Sequence, residues 1–125
     1  GGSLISTTLH HVSLGVSDTA NAPMCYRDVL GLAVIDTRPE LPFGGAWLAL
    51  GDHQVHLLEL PNPDPVTGRP AHGGRDRHIA VSVDDLDALV ERLNAAGITY
   101  TLSRSGRRAL FCRDPDGNAW EFIHG

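Results

Sequence analysis

The chain reads as an α+β protein built from two β-α-β-β-β units, and three observations point there. The first is an internal repeat. His11-Val12-Ser13-Leu14-Gly15-Val16-Ser17-Asp18 aligns with His78-Ile79-Ala80-Val81-Ser82-Val83-Asp84-Asp85, Leu30-Gly31-Leu32 with Ala96-Gly97-Ile98, and Val55-His56-Leu57-Leu58 with Trp120-Glu121-Phe122-Ile123. All three matches run in the same order at a nearly constant spacing. The second is strict alternation of aliphatic and small or polar residues after His11 and after His78, the mark of a half-buried strand. The third is an apolar stripe at helical spacing, Leu86, Leu89, Val90 and Leu93, behind a capping Asp84 or Asp85.

The elements follow in order. The opening strand of each copy is expected at about 8–16 and about 77–83, leading into a helix that ends at a glycine suited to a left-handed C′ position, Gly31 or Gly97. Pro23 cannot sit deep inside the first helix, so that helix should begin near Asn21 or Ala22 and end at Leu30. Three strands then close each copy, at about 33–38, 45–50 and 54–60, and again at about 99–103, 107–113 and 118–123. Asp114-Pro115-Asp116-Gly117 supplies the last hairpin turn. One domain is expected over 4–125, with a first module at about 8–60, a linker at 61–76 and a second module at about 77–124. The Pro-, Gly- and His-rich stretch Pro61–Gly74 is also a candidate flap.

Composition narrows the partners. A chain of 125 residues with 42% hydrophobic and 20% charged residues can bury one core. Its net charge of −5 argues against a nucleic-acid partner. No apolar run is long enough to span a bilayer and no signal-peptide pattern opens the sequence, so no membrane partner and a cytoplasmic location are expected. Cys25 and Cys112 make no disulfide framework and no CxxC pair; reduced, unactivated thiols are the simpler reading.

In the first strand Val12, Leu14 and Val16 share one face, and His11, Ser13 and Gly15 the other; in the repeat Ile79, Val81 and Val83 oppose His78, Ala80 and Ser82. The aliphatic faces suit helix packing. The opposite faces, small, polar and headed by a histidine, suit the wall of a cavity. His56 and Glu121 occupy equivalent points on the last strand of each copy. A pseudo-two-fold relation between the copies would bring His11, His78, His56 and Glu121 together as two equivalent pairs. Three imidazoles and one carboxylate are borderline N/O donors, suited to one divalent Zn, Ni, Mn, Co or Fe ion rather than Ca or Mg. The other histidines fit less well: His10 alternates away from the cavity, His53 falls in a turn, His72 in the linker and His124 at the chain end.

On these residues the chain resembles the vicinal oxygen chelate superfamily, which includes glyoxalase I, extradiol dioxygenases, fosfomycin-resistance proteins, methylmalonyl-CoA epimerase and bleomycin-resistance proteins. The resemblance is carried by Leu9-His10-His11-Val12, Tyr26-Arg27-Asp28-Val29-Leu30-Gly31-Leu32, Arg77-His78-Ile79-Ala80-Val81 and Arg113-Asp114-Pro115-Asp116-Gly117-Asn118 through Glu121. It implies two βαβββ modules forming a cupped mixed sheet around a metal site, helices on the convex face, and often a homodimer. The family's ligand positions fall on His11, His78 and Glu121, with His56 at the variable fourth position.

The resemblance further implies a metal that chelates two neighbouring oxygens of a small-molecule substrate. The favoured expectation is a glyoxalase-like lyase or isomerase, or an epimerase, moving a proton next to a carbonyl, with Glu121 as base and His56 as its acid–base partner. Glyoxalase I-like sites usually carry carboxylates at both last-strand positions and a first-strand arginine for glutathione. Here His56 replaces one carboxylate, and Gly15 and Val16 stand where the arginine would be. The alternatives are an Fe(II) extradiol-type dioxygenase using His11, His78 and Glu121, a fosfomycin-type thiol transferase, and a non-catalytic antibiotic-binding resistance protein. Phe43, Trp47 and Phe111 are candidate pocket walls, and Arg38, Arg104 and Arg107 candidate partners for an anionic substrate.

Overall fold

In a computed structural model, residues 7–19, 24–61, 63 and 67–125 are described. Strand β1 (His11–Gly15) leads to helix α1 (Met24–Val29) and then to β2 (Val34–Ile35), β3 (Gly45–Leu50) and β4 (His53–Leu58). A 3-10 turn (Gly73–Arg75) precedes β5 (His78–Val83), α2 (Leu86–Ala95), β6 (Tyr100–Leu102), β7 (Ala109–Arg113) and β8 (Ala119–His124). The β-α-β-β-β unit thus occurs twice. The strands pair into two four-stranded sheets of identical topology, β1-β4-β3-β2 and β5-β8-β7-β6. In each, the opening strand runs parallel to the last one and the remaining pairs are antiparallel.

The two helices differ in winding. In α2 the Asp85 carboxylate accepts from the Ala88 amide at 3.0 Å, the expected N-cap. The helix closes with Gly97 N–H on Asn94 O (3.2 Å) and Ile98 N–H on Leu93 O (2.9 Å), around a left-handed Gly97 at φ 70°. Helix α1 is wound as a π-helix: Leu30 N–H reaches back five residues to Cys25 O at 2.9 Å, and Gly31 has φ 77°. The expected start near Asn21 or Ala22, and Pro23 itself, lie outside the described residues. Strand β2 covers only two of the six positions expected, because only Val34 and Ile35 find partners, Leu48 and Trp47, on β3.

One hydrophobic cluster draws on both modules. Val16, Tyr26, Leu48, Val55 and Leu57 from the first join Leu86, Leu89, Leu93, Leu110, Cys112, Trp120 and Phe122 from the second. Burial of these side chains at roughly 25 cal/mol per Å2 of apolar surface is the main force joining the units. Among the described residues no helix is long and apolar enough to cross a membrane.

The Asp114–Asn118 turn adds a polar clamp to this core. Asp114 Oδ1 accepts from the Asp116 and Asn118 amides, closing the turn. The same turn holds the end of β1: Asn118 Nδ2 donates to Gly15 O at 3.1 Å, and Ser17 N–H to Asp116 Oδ1 at 2.9 Å. Asp114 Oδ2 accepts a hydrogen bond from the Tyr26 hydroxyl at 2.6 Å, while Trp120 Nε1 donates to that hydroxyl oxygen at 3.1 Å. Burial, then the nearby Asp114 charge, pushes the Tyr26 phenol well above its usual pKa, so it stays protonated and keeps donating. Burial also raises Asp114, and hydrogen bonds from Tyr26 and Asn118 pull it partly back. Replacing Tyr26 with Phe strips Trp120 of its acceptor and Asp114 of a donor. A loss of about 1–3 kcal/mol is expected, read as a lower urea midpoint at unchanged slope; an unmoved midpoint would show that the clamp carries no stability.

Candidate metal centre

Register decides which side chains share a face. In the first sheet Ser13, His56 and Trp47 lie in one cross-strand row, with His11 and Gln54 in the next matching row. In the second sheet Ala80, Glu121, Phe111 and Thr101 form the corresponding row, with His78 opposite Ala119. The four predicted ligands therefore project from the faces opposite the shared core.

His11 and His56 meet directly, their rings stacked with centroids 4.0 Å apart and planes 16° from parallel. Trp47 stacks on the other side of His56 at 4.1 Å and 3°, so the imidazole is the middle ring of three. His56 Nε2 lies 2.7 Å from Gln54 Oε1, and His11 Nδ1 2.8 Å from His10 Nδ1. Each imidazole keeps a second nitrogen outside these contacts. Burial, then the neighbouring His11 and His10, holds the His56 pKa below its ordinary value, which favours the neutral, ligating form.

In the second module His78 Nδ1 donates to Asp76 O at 2.9 Å. In a neutral ring this fixes the tautomer and leaves the Nε2 lone pair facing outward. That nitrogen sits 3.4 Å from Glu121 Oε1, while Arg107 Nη1 lies 3.9 Å from Oε2. Glu121 itself is 6% exposed. A lone pair and a carboxylate oxygen facing each other need a cation between them, either a proton or a metal ion, and the donor set fits a borderline divalent ion.

The chain brings the four residues together as two pairs. Among the described residues no group of three or more His, Cys, Asp or Glu side chains is gathered for a metal ion. Of the predicted pocket residues, Trp47 and Phe111 line these pairs. Phe111 is buried with its ring edge-on to His78 at 5.2 Å. Phe43 belongs instead to the β2–β3 loop, beneath the Arg38 guanidinium at 5.9 Å, and its carbonyl accepts from Arg38 at 2.8 Å. Both cysteines are free, and burial pushes their thiols up to about 11 (Cys25) and about 12 (Cys112), the reverse of activation.

Sequence reasoning set His72 aside as a linker residue. In the fold it is buried, with Nδ1 2.6 Å from Thr101 Oγ1 and its ring edge-on to Phe111 at 4.8 Å. The end of the linker from Arg69 to Asp76 is anchored on the second sheet. Asp76 Oδ2 accepts from Arg113 at 2.8 Å and Arg69 at 3.1 Å, and Arg113 also donates to Pro70 O and Gly117 O. The Arg113 hydrogen bond leads the interactions that hold the Asp76 carboxyl below its usual pKa. The one signal for His72 was the Gly73-Gly74 pair behind it. A Cβ at Gly73 would stand 3.3 Å from Phe111 Cβ and 3.5 Å from Ala119 Cβ, so glycine allows the backbone to lie close on the sheet.

The repeat, the paired sheets and the His11–His56 and His78–Glu121 contacts define a duplicated scaffold with one such pair on each sheet. Residues 8–122 match the model of the Glyoxalase/Bleomycin resistance protein/Dioxygenase superfamily, and the chain belongs to that family. It is 31% identical over 122 residues to Glyoxylase I 4 of Arabidopsis thaliana, covering 94% of this chain and 70% of that protein. It is 35% identical over 119 residues to a mitochondrial methylmalonyl-CoA epimerase of Mus musculus, covering 86% of this chain and 66% of the relative. The crystal structure of a lactoylglutathione lyase from Agrobacterium tumefaciens superposes with a TM-score of 0.66 at 26% identity, covering 96% of this chain and 95% of that one.

Proposed function

We propose that the protein is a divalent-metal-dependent, glyoxalase-like enzyme of isomerase/lyase or epimerase type, acting next to a carbonyl of a small-molecule substrate. The observation that carries this reading is the facing of His78 Nε2 and Glu121 Oε1 at 3.4 Å, with the His78 tautomer set by the Asp76 carbonyl. Relatives named as a lactoylglutathione lyase and a methylmalonyl-CoA epimerase support the reaction class.

His11, His56, His78 and Glu121 would hold the ion, and their donor types suit Zn, Ni, Mn, Co or Fe. When bound, it supplies Lewis-acid polarisation of the substrate's carbonyl oxygen. Glu121, kept from bulk water by its burial, would take the proton from the adjacent carbon and give that same proton back, with His56, at the equivalent position in the other module, as its candidate acid–base partner on the opposite side. The Trp47 ring fixes His56 in plane and offers an apolar wall to the substrate. Because one chain presents its ligands as separate pairs, the complete centre is assembled in a homodimer, where the His11/His56 pair of one chain meets the His78/Glu121 pair of its partner.

Metal analysis of the protein purified without chelator tests this first. One ion per chain is expected, followed by proton exchange on thiohemiacetals or acyl thioesters with that metal. A protein that neither holds nor takes up a divalent ion would sink the enzyme reading, and oxygen uptake with catechols in place of proton exchange would assign a dioxygenase instead.

A further inference from the structure

The histidines that open the two modules present the same ring nitrogen. His78 donates from Nδ1 to Asp76 O at 2.9 Å, and His11 Nδ1 is engaged by His10 Nδ1 at 2.8 Å, so each leaves Nε2 outside these contacts. His56 is turned the other way. Its Nε2 lies 2.7 Å from Gln54 Oε1, and Nδ1 is the nitrogen outside that contact. An amide oxygen only accepts hydrogen bonds, so His56 Nε2 carries the proton, and in a neutral ring Nδ1 then holds the lone pair.

The strand places Gln54 for this contact. It stands two residues before His56 on β4, so both side chains leave the same face. It is half-buried, sits opposite His11 in the β1–β4 register, and its amide donates to His10 O at 3.3 Å. Trp47 and His11 cover the two faces of the His56 ring at 4.1 and 4.0 Å and confine it to one plane. Stacking does not choose an edge, however. A half-turn within the stack would keep both faces covered while exchanging nitrogens for ring carbons. The hydrogen bond to Gln54 is directional, and it selects one edge and one tautomer.

We propose that Gln54 is a positioning residue of the metal centre: it locks His56 as the Nε2–H tautomer, so that His56 meets the ion through Nδ1, whereas His11 and His78 meet it through Nε2. The proposal rests on the metal-enzyme reading. Without the Gln54 acceptor the ring divides between two tautomers and two edges, and fewer of the rings offer the ion a lone pair. For His78 the same service comes from a main-chain carbonyl, which no substitution removes. For His56 it comes from a side chain and is open to test.

The test uses the full chain with zinc as the probe, the histidine rings being followed by long-range 1H–15N NMR on the alkaline side of neutrality. In the metal-free protein His56 is expected as the Nε2–H tautomer; an Nδ1–H ring overturns the proposal. When zinc is added, the 15N shift on coordination should fall on Nδ1 of His56 and on Nε2 of His11 and His78. Gln54→Leu removes the acceptor and should weaken zinc by about 10–100-fold, the usual worth of such a partner, with loss of the single tautomer. Gln54→Glu keeps an acceptor at the same reach and should restore both. Unchanged zinc affinity or an unchanged tautomer in Gln54→Leu overturns the proposal, and the wild-type spectra decide even if that variant fails to fold. Zinc bound with His56 on Nε2 sinks this proposal alone. A chain that takes up no zinc sinks the metal reading, and the choice of ligating atom with it.

Discussion

Mixing two inactive variants should restore metal binding. A His11→Ala/His56→Ala chain keeps only the second-module pair, and a His78→Ala/Glu121→Ala chain keeps only the first. In a symmetric dimer each centre takes one pair from either chain, so a mixed dimer holds one intact centre and one with no ligands. Random exchange makes half of the dimers mixed, and the mixture should regain about a quarter of the wild-type metal and activity. Neither variant alone should retain more than adventitious metal. The effect is large because it is the difference between four donors and two. Recovery after subunit exchange, followed by metal content on the separated protein, is the measurement. A mixture that stays at the level of its components would mean that each chain closes its own centre, and the assembly part of the proposed function would fall.

The second large effect concerns Glu121. Its carboxylate is buried, faces His78 Nε2 at 3.4 Å and lies 3.9 Å from the exposed Arg107 guanidinium. Replacement by Gln preserves shape and one oxygen donor but removes the base. Proton exchange next to the carbonyl should fall by roughly 10²–10⁴-fold, the usual worth of a positioned general base. Metal should be weakened yet still measurable, since Gln can donate through its amide oxygen. Comparing exchange at saturating metal separates the two losses. Undiminished exchange in Glu121→Gln would remove this residue from the mechanism and shift the proton transfer to His56.

What the sequence foretold, and what it could not, divides along a physical line. Periodicity and caps are local, so α2 begins at its Asp85 cap and ends at a left-handed Gly97, and β3 covers Gly45–Leu50 as read from alternation. Duplication puts His11 with His78, and His56 with Glu121, at matching points of the sequence, whereas strand pairing brings His11 to His56 and His78 to Glu121. The π-winding of α1 was not legible, since it depends on which carbonyl Leu30 N–H selects in the packed state. His72 was passed over for a related reason. Its burial comes from contacts with Thr101 and Phe111, roughly thirty or more residues along the chain, and the neighbouring Gly73-Gly74 pair signals a close backbone approach without naming those partners.

The two tryptophans sit on opposite sides of this architecture. Trp120 is 1% exposed and locked between Phe122 and the Tyr26 hydroxyl, deep in the shared core. Trp47 lies flat against His56, ring on ring. The molecule therefore carries its own optical label: the emission of one indole follows the integrity of the fold, while that of the other responds to the charge and ligation of the imidazole it covers. With no dye attached, a metal entering the proposed centre should alter the Trp47 emission, and loss of the core that of Trp120.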